Sequence, residues 1–249
     1  MGVFSVRAVE GLGEIARGAD LGALIAAAPA APGEGEIVVI AHKIVSKAED
    51  RVRALAEIEP GAQALELAAA HSKDARHVQA ILDESEEIVR AQRGILIVRT
   101  HHGFVCANAG IDESNTAAEG TLILLPLDPD ASARAIRARL LKLTGRAPAV
   151  LISDSFGRAW RIGQLDCAVG AAGLAPLDDW RGRVDRRGRE LHATVLAVAD
   201  AVAAAADLAR AKDSGEPVVV VSGLDAHVTA EDGPGAAALI RARAEDLFL

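Results

Sequence analysis

Along the whole chain, short runs of Ile, Val and Leu alternate with stretches whose apolar residues recur every three or four positions. Unbroken apolar runs predict strands buried on both faces. They are Glu36 to Val45 (EIVVIAHKIV), Gly120 to Leu127 (GTLILLPL), Ala147 to Ser153 (APAVLIS) and Pro217 to Ser222 (PVVVVS). Phe4 to Val9 alternates weakly and predicts a first strand. Asp20 caps a short helix, LGALIAAA, which Pro29 breaks. Helices are predicted over Gly61 to His71 and Ala75 to Arg90; in the second, Val78, Ile81, Leu82 and Ile88 fall at helical spacing. Gly94 opens a hairpin that turns near His102-Gly103 and ends in the irregular segment NAGID. Asp128-Pro129-Asp130 starts a helix that runs to Leu143, with Gly145 just past its end. His192 to Ala199 reads as extended, Asp200 to Ala211 as helix, and Arg241 to Leu249 as a docked terminal helix. Helices do not separate the strands regularly, so the expected class is mixed α/β with α+β character rather than doubly wound.

Composition narrows the function. The 249 residues are 51% hydrophobic and 25% charged, ordinary globular usage. A chain this long buries a core without staples, as one large domain or two intimately packed subdomains. With 27 Lys and Arg against 35 Asp and Glu, the net charge is −8, which argues against a nucleic-acid partner. Four Phe, two Trp and no Tyr leave little for stacking on bases. Cys106 and Cys167 are too few for a disulfide framework or a four-thiolate zinc site and read as reduced, buried thiols. Glu10 and Glu14 interrupt any secretory leader, and Asp200 and Asp207 interrupt the most apolar long stretch. The expected location is the cytoplasm, with no membrane partner.

Common phosphate-binding and nucleophile motifs are missing: there is no Walker loop, no G-x-G-x-x-G, no G-x-S-x-G and no H-E-x-x-H. What remains are carboxylates at strand ends. Asp112 sits in NAGIDESN, and Asp154 closes an Ile/Leu/Val strand with the hydroxyl of Ser155 beside it. Such oxygens suit a Mg²⁺ or Mn²⁺ held partly by phosphates; they equally suit turn starts and helix caps. Asn115 fits a ligand donor or an Asx turn. Lys47 fits a point charge along a phosphate or a solvated lysine. His42 and Lys43, polar inside an apolar run, require partners, which fits a ligand-facing role. His101 and His102 read as solvated turn residues. Arg181, Arg183, Arg186, Arg187 and Arg189, joined by Arg158 and Arg161, read as a solvated loop or as a clamp for an anionic substrate.

Seven segments fall in order along the chain: VEGLGEI, HKIVSKAE, ANAGIDESN, LPLDPDASARAIR, ISDSFGRAWR, WRGRVDRRGREL and EDLFL. In them the sequence resembles the coenzyme F420-0:L-glutamate ligase family over essentially residues 3 to 249. The resemblance implies a fold that is neither P-loop nor ATP-grasp, an intertwined homodimer, and a single unit over 1–249 without a C-terminal nitroreductase-like domain. It implies that GTP phosphorylates a carboxylate of coenzyme F420-0 and that the amine of L-glutamate then displaces phosphate, with γ-linked glutamates as further additions. One or two Mg²⁺ or Mn²⁺ ions per subunit, and K⁺, are the ions it suggests. Carried over residue by residue, it places metal contacts on Asp112, Asp154 and Ser155. Nucleotide contacts fall on Leu12, Gly13, Glu14, Ile15, His42, Lys43, Lys47 and Asn115. Lys47, Asp112 and Asp154 form the expected catalytic set; Arg158 and Arg161 are assigned to substrate by charge alone. This chain has Gly13 where many relatives have Pro, Ser155 for Thr and Arg187 for an aromatic. Its segment 210–215 has no glutamate matching a further metal ligand. Two other readings stay open: a ligase of the same scaffold for another carboxylated metabolite, and a non-catalytic nucleotide-binding partner.

Overall fold

The computed structural model describes residues 2–113, 119–210 and 214–247. Its elements, in chain order, begin with β1 (Ser5–Ala8), α1 (Leu21–Ala27), β2 (Ile37–Ala41), α2 (His42–Ala48) and β3 (Val52–Ala54). Next come α3 (Ala62–His71), α4 (Ala75–Asp83), β4 (Ser85–Gln92), β5 (Ile95–Thr100), β6 (Val105–Ala107) and β7 (Thr121–Ile123). The chain continues through α5 (Pro129–Thr144), β8 (Ala149–Arg158), β9 (Arg161–Ala172), β10 (Leu177–Asp179), β11 (Val195–Ala197), α6 (Val198–Asp207) and β12 (Val218–Ser222).

A five-stranded sheet in the order β1-β12-β2-β8-β9 forms the centre. Only β2 and β8 run parallel; the other neighbours are antiparallel. Side chains alternate across a strand, so a sheet covered on both faces needs apolar residues at every position. Val38, Ile40, Val150, Ile152, Val218 and Val220 face one core, which also takes Ile25 of α1 and Ile136 and Leu140 of α5. Ile37, Val39, Ala149, Leu151, Val219 and Val221 face the other, closed by Val198, Val202 and Ala206 of α6. A third, smaller core gathers α3, α4, β5 and the segment around Leu122 and Leu124.

The α5 boundaries follow the sequence signals. Asp128 accepts from Ala131 N at 2.8 Å, Pro129 opens the first turn, and Gly145 takes φ 70° at the C-terminal end. Elsewhere the structure corrects the reading. β2 stops at Ala41, so His42 and Lys43 lie in the first turn of α2 and not mid-strand. A short apolar run does not distinguish strand from helix by period, and Ile44 and Val45 pack equally well from α2. α4 ends at Asp83, and Ser85–Gln92 pairs with β5 as a strand. The helical spacing of Ile88 is overridden by that pairing. β8 continues past Ser153 to Arg158, forming with β9 a two-stranded arm that leaves the sheet. Among its described residues the tail holds a single 3₁₀ turn, Arg243–Glu245, and no α-helix; residues 248–249 lie outside them.

Glu36 ties the sheet edge together. It accepts from Gly33 N at 2.6 Å, from Arg7 Nη2 at 3.0 and 3.1 Å, and from the Ser222 hydroxyl. Burial alone would push its carboxyl up; Ser222, Gly33 and Arg7 together hold it below the usual glutamate range. The carboxylate therefore adds stability above the ordinary glutamate value and loses it as pH falls through the lower folded value. Glu36→Gln should cost about 2 kcal/mol near neutral pH. In urea unfolding across a pH series, that difference should shrink below about pH 4.

Candidate active site

α2 is the organiser. His42 and Ser46, and likewise Lys43 and Lys47, are four residues apart and share a face. His42 is buried at 1% exposure, with Nδ1 3.4 Å from Ser46 Oγ and Nε2 3.3 Å from Asp154 Oδ1. Lys43 Nζ lies 2.6 Å from Asp112 Oδ2, and Lys47 Nζ lies 2.6 Å from Glu14 Oε1. One two-turn helix thus touches Asp154, Asp112 and the N-terminal segment.

Asp112 is delivered by an unusual turn. Asn108, Ala109 and Gly110 all have positive φ (51°, 57° and 68°). The chain then locks against β7, with Asp112 N–H donating to Ile123 O at 3.0 Å and Ile123 N–H returning to Asp112 O at 2.8 Å. The backbone is fixed while the carboxylate reaches Lys43. Asp154 follows a bulge in the β8–β9 ladder, where the register shifts between Ile152 and Ser153. It accepts from Ser155 N at 2.7 Å. Burial, and the nearby negative charge of Asp112, push its carboxyl up; His42 and the Ser155 N–H outweigh them and hold it below the usual aspartate range. The turn and the strand meet at Gly110, where a Cβ would stand 3.3 Å from Asp154 Oδ2 and 3.0 Å from Leu125 Cδ1.

That contact carries a prediction. Gly110→Ala adds a methyl against both neighbours at a φ that disfavours it, so it should destabilise by about 1–2 kcal/mol. Its effect on activity per folded molecule should exceed its effect on stability, because the displaced atom belongs to Asp154. Comparing unfolding free energy with turnover of the folded fraction checks this.

The N-terminal segment docks beside α2. Ile15 is buried, Leu12 packs against the same core, Gly11 and Gly13 take φ 80° and 67°, and Gly18 N–H reaches Ala48 O at 2.8 Å. Leu12, Gly13, Glu14, Ile15, His42, Lys43, Lys47, Asp112 and Asp154 therefore border one region. Other expected residues are not brought there. The side chain of Ser155 points to the opposite sheet face, where its hydroxyl donates to Asp166 Oδ1 at 2.7 Å. Arg158 is four residues beyond Asp154, about 13 Å at strand rise, and folds onto Ile162 O and Gly163 O at the arm's tip. Arg161 shares that exposed tip. Arg181 and Arg183 are paired with Asp179 and Asp178. Asn115 lies outside the described residues. Asp166 itself escaped the sequence reading; its signal was an acidic residue between Leu165 and Cys167 in a strand-like run.

The donor set fits a hard divalent cation. Two carboxylates face one region, each beside a basic side chain that occupies part of the space positive charge would fill. Among the described residues no group of three or more His, Cys, Asp or Glu side chains is placed to hold a metal ion. One or two carboxylates are the usual protein share when substrate phosphates complete the shell of Mg²⁺.

Comparison with known proteins places the scaffold. Residues 11–223 match the family model described as F420-0:Gamma-glutamyl ligase. Three relatives are each named coenzyme F420:L-glutamate ligase. That of Methanothermobacter thermautotrophicus is 46% identical over 253 residues, covering 100% of this chain and 99% of the relative. That of Archaeoglobus fulgidus is 45% identical over 218 residues, covering 87% and 86%. That of Methanopyrus kandleri is 45% identical over 233 residues, covering 93% and 92%. The chain belongs to the F420-0:gamma-glutamyl ligase family, as the ordered motifs implied. Among the described residues no helix is long and apolar enough to cross a membrane.

Proposed function

We propose that this protein joins L-glutamate to coenzyme F420-0 with GTP as the energy source. The observation that carries the reading is the meeting of Asp112 and Asp154 around α2, beside Lys43, Lys47 and the glycine-bearing segment Gly11 to Ile15. The names of the relatives supply the substrates. Transfer of a phosphoryl group to a carboxylate brings anions together, so it depends on positioning and positive charge more than on covalent help from the protein. Asp112 and Asp154 would hold Mg²⁺ or Mn²⁺, which offsets the charge of the triphosphate when bound. Lys43 and Lys47 would turn from Asp112 and Glu14 towards phosphate oxygens. The γ-phosphoryl group passes to a carboxylate oxygen of the coenzyme and GDP leaves. The glutamate nitrogen then attacks the acyl carbon, the C–O bond to phosphate breaks, and the amine gives up a proton as the amide forms. The same chemistry repeated on the new terminus would add γ-linked glutamates.

We further propose that the enzyme works as a homodimer. Trp160 and Ile162 at the tip of the β8–β9 arm are 82% and 99% exposed, which suits burial against a second copy. In an assay with GTP, Mn²⁺, L-glutamate and coenzyme F420-0, GDP should appear in step with the amide. Absence of turnover with every nucleoside triphosphate would refute the reading.

A further inference from the structure

Asp166 is the most buried carboxylate among the described residues, at 2% exposure. It lies on β9 directly across the ladder from Ser155, on the sheet face opposite Asp154. Its Oδ1 accepts from Ser155 Oγ at 2.7 Å and its Oδ2 from Ser153 Oγ at 2.7 Å. It thus holds the residues immediately before and after Asp154. A third partner is the Arg210 guanidinium, which is paired with Asp166 Oδ2, donates to Ser153 Oγ at 3.1 Å and reaches Pro217 O at 3.3 Å. Arg210 stands where the chain leaves α6 on its way to β12.

The placement matters because the ladder slips just here. Ile152 pairs with Gly170, yet Ser153 pairs with Ala168. The extra residue is Val169 on β9, so β8 keeps its alternation and Asp154 stays on the Ile152 face, while the side chains of β9 beyond the bulge change faces. Beyond the bulge, Asp154 has Cys167 and not a packed core residue opposite it, and the strand is about to leave the sheet as the exposed arm. The two serine hydroxyls on Asp166 pin β9 to β8 beyond the bulge and hold the strand on both sides of Asp154. Arg210 supplies the buried charge that Asp166 requires.

We propose that Asp166, with Ser153 and Arg210, is a positioning set for the reaction: it fixes the direction of Asp154 and ties Arg210, just past α6, to the site. This rests on the reading above that Asp154 helps hold a divalent cation. Asp166 touches no reacting atom and acts through Asp154.

The test is binding of Mn²⁺ in the presence of saturating GDP, read by the enhancement of water-proton relaxation that protein-bound Mn²⁺ gives, beside thermal unfolding. Asp166→Asn should weaken Mn²⁺ about tenfold or more, the usual scale for residues that orient a metal ligand. Ser153→Ala, a small change on the face away from the site, should weaken it about threefold. Glu36→Gln, which loosens the distant sheet edge, should leave Mn²⁺ affinity unchanged while lowering stability. If Asp166→Asn fails to fold, Ser153→Ala decides. Should the folded variants bind Mn²⁺ as the wild type does, Asp166 is structural only and the proposal is overturned while the cation reading stands. Should the wild type itself give no enhancement, the cation reading fails and the positioning role falls with it.

Discussion

Asp154→Asn is expected to lower ligase turnover about a thousandfold, equivalent to about 4 kcal/mol of transition-state stabilisation. The substitution is nearly isosteric, and the amide oxygen still accepts the 2.7 Å bond from Ser155 N. The fold should therefore survive, with stability changed by no more than about 1–2 kcal/mol. Two effects oppose each other there. His42 loses its anionic partner, and the repulsion between Asp154 and Asp112 disappears. What the variant lacks is a formal charge and a strong oxygen donor at the point where a cation would meet phosphate. Steady-state rates with GTP and Mn²⁺, alongside circular dichroism, provide the measurement. Turnover within about tenfold of wild type in a folded variant would remove Asp154 from the centre of the mechanism.

Legibility in the sequence followed burial. β2, β8 and β12 could be read because both sheet faces are covered, which makes every position apolar. α5 could be read because Asp128, Pro129 and Gly145 mark both ends. The second half of the predicted helix Ala75 to Arg90 could not, since pairing with β5 is a tertiary fact that local periodicity does not carry. The junction at Ala41 failed for a related reason: a seven-residue helix is too short to announce its period. The site divides along the same line. Asp112 and Asp154 stood out as carboxylates at strand ends, but nothing local says that Lys43 meets one and His42 the other. Those contacts exist only because a left-handed turn at Asn108–Gly110 and the parallel pairing of β8 with β2 bring two distant segments to α2. Ser155 shows the limit most plainly. Adjacency in sequence suggested a shared site with Asp154, whereas strand alternation sends the two side chains to opposite faces.

Arg137→Ala is expected to be the most damaging single change to stability, at about 4 kcal/mol. Its place in α5, within ARAIRARL, suggests a solvated helix face, yet the side chain is 8% exposed. The guanidinium donates to Pro148 O at 3.3 Å, Thr229 O at 2.9 Å and Ala230 O at 3.0 Å, and pairs with Asp232 at 2.7 Å. It passes so close to Gly173 that a Cβ there would stand 2.3 Å from Nε. Truncation leaves three carbonyls without this donor, an unbalanced carboxylate and a void beside β9. Lysine restores the charge but not the planar fork that serves several acceptors at once, so Arg137→Lys should recover less than half of the loss. In thermal unfolding the alanine variant should melt about 10 °C lower. Gly173 adjoins the end of the β8–β9 ladder away from Asp154, so activity per folded molecule at low temperature should stay near wild type. A variant that keeps its stability would mean the C-terminal segment around Asp232 is held by other contacts; one that stays stable but inactive would tie α5 to the site in a way these bonds do not explain.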